Sequence, residues 1–145
     1  MADKKGSRGV FRVFGALVVL VVAACSGETP ESAIKREIGA MQTAIEKREP
    51  AGFLKYVTED FQGQSGQIDR NALRGVLAAQ VMGHDRIAVT LGVPEVKVIG
   101  DRATVKVSAL VVGGQWLPEH GQTLEIESGW VKDGKDWKCY SASWK

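Results

Sequence analysis

Few residues in this chain have the types needed for acid–base chemistry, and they are scattered. The chain has two histidines, His84 and His120, 36 positions apart. His84 adjoins Asp85, and the pair could pass a proton, although a solvated turn is the more common role of such a dipeptide. His120 follows Glu119 in the stretch Trp116–Gly121, where a loop can carry function or simply turn the chain. Asp60 could act as a buried base or cap a local backbone amide. Glu125 and Glu127 share one strand face, a position that is usually solvated. The catalytic candidates are therefore His84, Asp85, His120 and Asp60. Trp116, His120 and Phe61 are the ligand-binding candidates, Trp116 foremost because its loop has no evident core role. Two isolated histidines make no metal-ligand cluster. Gly63 and Gly66 lack the strand, helix and lysine context of a phosphate loop, and no serine nucleophile elbow appears. No metal and no cofactor are expected.

The two cysteines differ in setting. Cys25 ends the run Val22-Ala23-Ala24-Cys25, behind an apolar stretch from Val13 to Ala24 and a basic start from Lys4 to Arg12. Positive start, short apolar core and small-residue exit form a secretion signal. Twelve apolar residues fall short of the ~20 that cross a bilayer as a helix. The last four residues resemble the bacterial lipobox. That resemblance implies a lipid on the Cys25 thiol, cleavage just before it, and two or three acyl chains, enough for durable anchoring. Ser26, rather than Asp, follows the cysteine, which implies outer-membrane attachment facing the periplasm. The expected organisation is a signal over 1–24, a lipidated tether over 25–30 and one domain over 31–145. Cys139 lies in a strand-like segment and reads as a small core hydrophobe.

Charge excludes one class of partner. The formal net charge is +2, but the first 24 residues hold Lys4, Lys5, Arg8 and Arg12 against Asp3 alone. The remainder carries 15 basic and 16 acidic residues. Without a basic surplus the domain has no electrostatic case for nucleic acid.

Hydrophobic spacing supplies the elements that must position these side chains. Thr29-Pro30-Glu31 is a helix start, and Ile34, Ile38, Met41 and Ile45 follow at helical spacing to about Arg48. Glu49-Pro50 restarts the chain, and Phe53, Leu54 and Val57 predict a second helix closed by Thr58 to Phe61. Gln62 to Gln67 reads as a polar, glycine-rich loop. Asp69 caps a third helix with Leu73, Val76, Leu77 and Val81 on one face. Alternation then takes over at Ile87–Leu91 and Val96–Val98, with a bend at Pro94. It continues through Ala103–Val111, Leu124–Trp130 and Trp137–Trp144, with a hairpin at Asp133-Gly134. Trp130 and Trp137 read as core, and Trp144 as a seal of the sheet or a dimer contact. The fold class expected is α+β: three N-terminal helices packed on an antiparallel sheet of about four strands.

Several of these segments resemble the nuclear transport factor 2-like, or SnoaL-like, superfamily: the long first helix, "EPAGFLKYVTEDF", the helix opening at Asp69, and "GDRATVKV" with "GWVKDGKDWK". The likeness runs from about Glu31 to Trp144 and is nearest to small lipoprotein members. It implies a curved sheet wrapping the helices as a cystatin-like cone with a pocket, in which Asp60, Phe61 and Trp137 mainly shape the fold. The scaffold serves isomerases, dehydratases, cyclases, binding modules and dimerisation domains, so it does not fix the activity.

Three functions are then in competition. The first is a membrane-anchored periplasmic protein that binds a small apolar ligand or an envelope protein without catalysis. The second is an isomerase- or dehydratase-type enzyme using a carboxylate or histidine in the cone. The third is a homodimer module acting through its sheet. Expected partners are the membrane, through lipid on Cys25, and the ligand or protein of the first reading.

Overall fold

The computed structural model describes residues 27–113 and 122–145. The first helix, α1 (Pro30–Glu46), starts where the side chain of Thr29 accepts a hydrogen bond from the Ser32 amide at 3.2 Å, with Pro30 in the first turn. It buries Ala33, Ile34 and Ala44 and turns Ile38, Met41 and Ile45 inward beside them. A short helix, α2 (Pro50–Leu54), follows.

The chain then departs from the helical pattern. Val57 to Phe61 do not close a helix but form strand β1 (Val57–Gly63). Gln64–Gly66 make one 3₁₀ turn, and β2 (Ile68–Asp69) folds back on β1, so the polar stretch is not an open loop. Val57 and Phe61 are spaced four apart, which imitates a helix. An even separation also keeps both side chains on one face of a strand, and Val57 and Phe61 are both buried. The strand is irregular as well: Val57 pairs with Cys139 and Gln62 with Ser141, so five steps of β1 face two of its partner. Asp69 then caps α3 (Arg70–Gly83), accepting from the Ala72 amide at 2.7 Å.

Five further strands complete the sheet: β3 (Ala88–Leu91), β4 (Glu95–Ile99), β5 (Arg102–Val112), β6 (Gln122–Asp133) and β7 (Asp136–Trp144). Their order is β2-β1-β7-β6-β5-β3, with β4 also on β5. β3 and β4 lie end to end along β5, parted by Gly92, Val93 and Pro94 where the expected bend falls. The sheet thus has seven strands rather than about four. It is mixed rather than antiparallel, because β1 runs parallel to β7. Two of its strands also precede α3, so the helices do not all come first.

The α+β class and the three helices stand, packed on a curved, unclosed sheet. The core joins Ala33, Ile34, Leu54, Val57, Phe61 and Leu73 to Ala103, Val105, Trp130, Trp137 and Cys139. Among the described residues no helix is long and apolar enough to cross a membrane.

Candidate functional site: an apolar cavity in the cone

The long strands β5 and β6 alternate strictly, so every second side chain faces the helices. Ala103 and Val105 meet α1 and are buried, whereas Val107, Ala109 and Val111 line a cavity of about 320 Å³. Across from them stand Leu124, Ile126, Ser128 and Trp130 of β6. α1 contributes Ile38, Met41, Gln42 and Ile45, and α3 contributes Leu73, Val76, Leu77 and Gln80. Val57 and Phe61 of β1, Val89 and Leu91 of β3, and Ala142 and Trp144 of β7 complete the wall with Phe53 and Cys139.

A local irregularity in β7 makes that wall continuous. Trp137 and Cys139 face inward at odd positions, Ala142 and Trp144 at even ones. The change of parity occurs at Tyr140: Trp130 pairs with Cys139, yet Gly129 pairs with Ser141. The extra residue is a β-bulge, and it turns both halves of the strand to the same side. Tyr140 is accommodated on the other face. A Cβ on Gly129 would lie 2.7 Å from Tyr140 Cζ, so only glycine leaves room for the ring. Arg102 covers that ring at 4.8 Å.

The polar groups of the wall are few. Gln42 Nε2 donates to the Val89 carbonyl at 2.6 Å, tying α1 to β3. Trp130 Nε1 donates to Ser128 Oγ at 2.9 Å. The Cys139 thiol donates to the Ser141 carbonyl at 3.2 Å, and burial pushes it up to about 12, so it stays protonated at neutral pH. The described wall contains no carboxylate, imidazole or amine. An enclosed apolar cavity of roughly 150 Å³ is enough to take benzene.

Of the residues singled out from sequence, Phe61 lines this cavity, whereas His84, Asp85 and Asp60 do not. His84 caps α3, its ring Nδ1 3.1 Å from the Gln80 carbonyl, and Asp85 is exposed just beyond it. Asp60 is exposed on β1 while its neighbour Phe61 is buried in the cavity wall. Glu125 and Glu127 point away from the cavity, and Glu127 lies 4.0 Å from Lys106. Cys25, Trp116, Glu119 and His120 lie outside the described residues. Among the described residues no group of three His, Cys, Asp or Glu side chains could hold a metal ion. Trp130 and Trp137 are core, each 2% exposed. The wall residues Val107, Ala109, Leu124 and Ile126 carried no signal of their own, since a strand's inward positions look alike whether or not something fills the space opposite.

No protein-family model matches the chain. No curated protein matches it in sequence. Solved structures match the fold. A provisionally named scytalone dehydratase from Novosphingobium aromaticivorans superposes with a TM-score of 0.68 at 14% identity, over 78% of this chain and 80% of that one. A nuclear transport factor 2-like protein from Cytophaga hutchinsonii gives 0.67 at 17% identity, over 81% and 98%. Another of unknown function, from Pseudomonas putida, gives 0.68 at 18% identity, over 79% and 84%. The chain therefore has the nuclear transport factor 2-like fold, also described as cystatin-like.

Proposed function

We propose that this chain binds a small apolar molecule inside the cone while lipid on Cys25 holds it to the outer membrane, facing the periplasm. The observation that carries the binding reading is the cavity of about 320 Å³, whose described wall offers hydrocarbon and aromatic surface with a few already bonded polar groups. A charged ligand would lose its hydration there and find no counter-charge among the described wall residues. A neutral, largely hydrocarbon molecule would lose only unfavourable contact with water. The membrane reading rests on the sequence alone: the basic start, the short apolar core and Val22-Ala23-Ala24-Cys25-Ser26.

An isomerase or dehydratase is the alternative. One structural neighbour carries a dehydratase name, but at 14% identity it supports the scaffold and not the chemistry. Such an enzyme needs an acid or base against the ligand. Of the sequence candidates, His84, Asp85 and Asp60 stand away from the cavity wall, which leaves His120 as the residue on which that alternative depends.

Native mass spectrometry of the chain isolated from its host's membranes tests both halves. The expected spectrum shows acylated Cys25 and a bound neutral molecule. A protein that is acylated but always empty would sink the binding reading. A ligand-bound protein with unmodified Cys25 would sink the anchor.

A further inference from the structure

The cone is packed unevenly along its length. Where α1 begins, Ala33 and Ile34 join Ala103, Val105 and Trp137 in solid core. Where α1 ends, Met41 and Ile45 face the cavity with Val111, Leu124 and Trp144. The helix direction is fixed by Val89, whose carbonyl accepts from Gln42 and whose amide donates to Glu46 at 3.0 Å. The C-terminal half of α1 therefore lies over β3, and the N-terminal half lies toward β4. The turns at Gly100-Asp101 and Gly134-Lys135 close the sheet at the packed end, joined by the Lys132 amide donating to the Asp101 carbonyl at 2.9 Å. From Pro30 to Ile45 the helix rises about 22 Å, which separates the packed end from the hollow one.

The tether arrives at the packed end and is fastened there. Arg36 binds Glu28 and, at 2.8 Å, the buried Glu37, about two turns into the helix that Thr29 caps. Only three residue steps separate Glu28 from Cys25, a reach of roughly 10 Å at full extension. At the turns of the packed end Ile99 stands 83% exposed as the last residue of β4, and Lys97, Lys132 and Lys135 are exposed as well. The stretches 97–102 and 132–138 each carry one more basic residue than acidic.

We infer that the packed end of the cone seats on phospholipid headgroups, with Ile99 in the interface, and that the cavity opens away from the bilayer. This rests on the lipid anchor proposed above. A tether this short keeps the turns at high local concentration beside the surface. An exposed isoleucine flanked by lysines matches an apolar boundary with anionic headgroups. The ligand then enters and leaves on the aqueous side, and an envelope partner that exchanges it meets α3 and β3 rather than the membrane.

Lysine footprinting reads the orientation. The chain, isolated from its host's membranes, is reconstituted into phosphatidylethanolamine–phosphatidylglycerol vesicles and treated with a water-soluble acetylating reagent. Each lysine's rate is normalised to the unfolded chain. Lys132 and Lys135 are expected to react severalfold more slowly than Lys47, at the far end of α1, and Ile99→Asp should bring the rates together. Equal rates in the unaltered chain, or a slower Lys47, would overturn the seating. The same digest gives the mass of the Cys25 peptide. An acylated peptide with an even footprint removes the seating alone, and an unacylated one removes the anchor and the seating with it.

Discussion

Trp130 Nε1 donates to Ser128 Oγ at 2.9 Å, and both side chains stand two residues apart on the inward face of β6, against the cavity. The indole is 2% exposed, so its N–H has no access to solvent. Ser128→Ala would leave that donor unpaired and should cost about 1–3 kcal/mol. Urea unfolding at an unchanged slope checks it, and a loss below about 0.5 kcal/mol would show that another acceptor takes over.

Gly129 and Tyr140 form a second pair, on the opposite face. Gly129→Ala puts a methyl 2.7 Å from Tyr140 Cζ and 2.6 Å from Ser141 Oγ. The ring must move off the sheet and away from Arg102, at an expected cost of about 1–2 kcal/mol. The cost should fall by half or more when Tyr140 is already alanine. A double-mutant cycle measures that coupling, and strict additivity would refute the contact.

Filling the cavity separates binding from folding. Ala109 is buried on β5 and its Cβ points into the hollow. In a close-packed core a larger side chain costs about 1–3 kcal/mol. Here Ala109→Phe has empty space to occupy, so stability should change by less than about 1 kcal/mol while the co-purifying molecule disappears from the native mass spectrum. Retained ligand would move the binding site out of the cone.

Alkaline pH should weaken the fold through Cys139. Its thiol sits at about 12 when folded against 9.0 as its ordinary value, so between these limits the unfolded chain releases a proton that the folded chain keeps. The stabilisation is complete below pH 9 and is lost as pH rises toward 12, approaching about 4 kcal/mol over three pH units. Cys139→Ala should therefore show a shallower decline of stability from pH 9 to 12 than the unaltered chain. Equal slopes would mean that the thiol ionises in place.

His84→Gln and Asp85→Asn should leave ligand occupancy unchanged, because neither side chain lines the cavity. Loss of the ligand in either variant, at unchanged melting temperature, would return this pair to the site.

How far the sequence could be read depends on how local the deciding interactions are. α1 and α3 were legible because their caps, Thr29 and Asp69, bond amides three residues away and their apolar stripes follow the helical period. β5 was legible because its alternation runs unbroken from Ala103 to Val111. β1 was not. Phe53, Leu54, Val57 and Phe61 fit a helix by spacing, and the pairing that makes Val57–Gly63 a strand comes from Cys139, Ser141 and Ala142, about 80 residues on. No local pattern records a partner at that distance.

The sequence by itself determined the helix starts, the inward faces of the long strands, the burial of Trp130 and Trp137, and the polar face carrying Glu125 and Glu127. Each follows from a period or from a bond within a few residues. Tertiary structure alone decided that Val105 is core while Val107 and Ala109 border a hollow, although the three share one alternation. It also decided that Trp144 faces the same space as Cys139, through the bulge at Tyr140. A cavity is a difference between the volume enclosed by several elements and the volume their side chains fill. That difference exists only once α1, α3 and the curved sheet are set against one another.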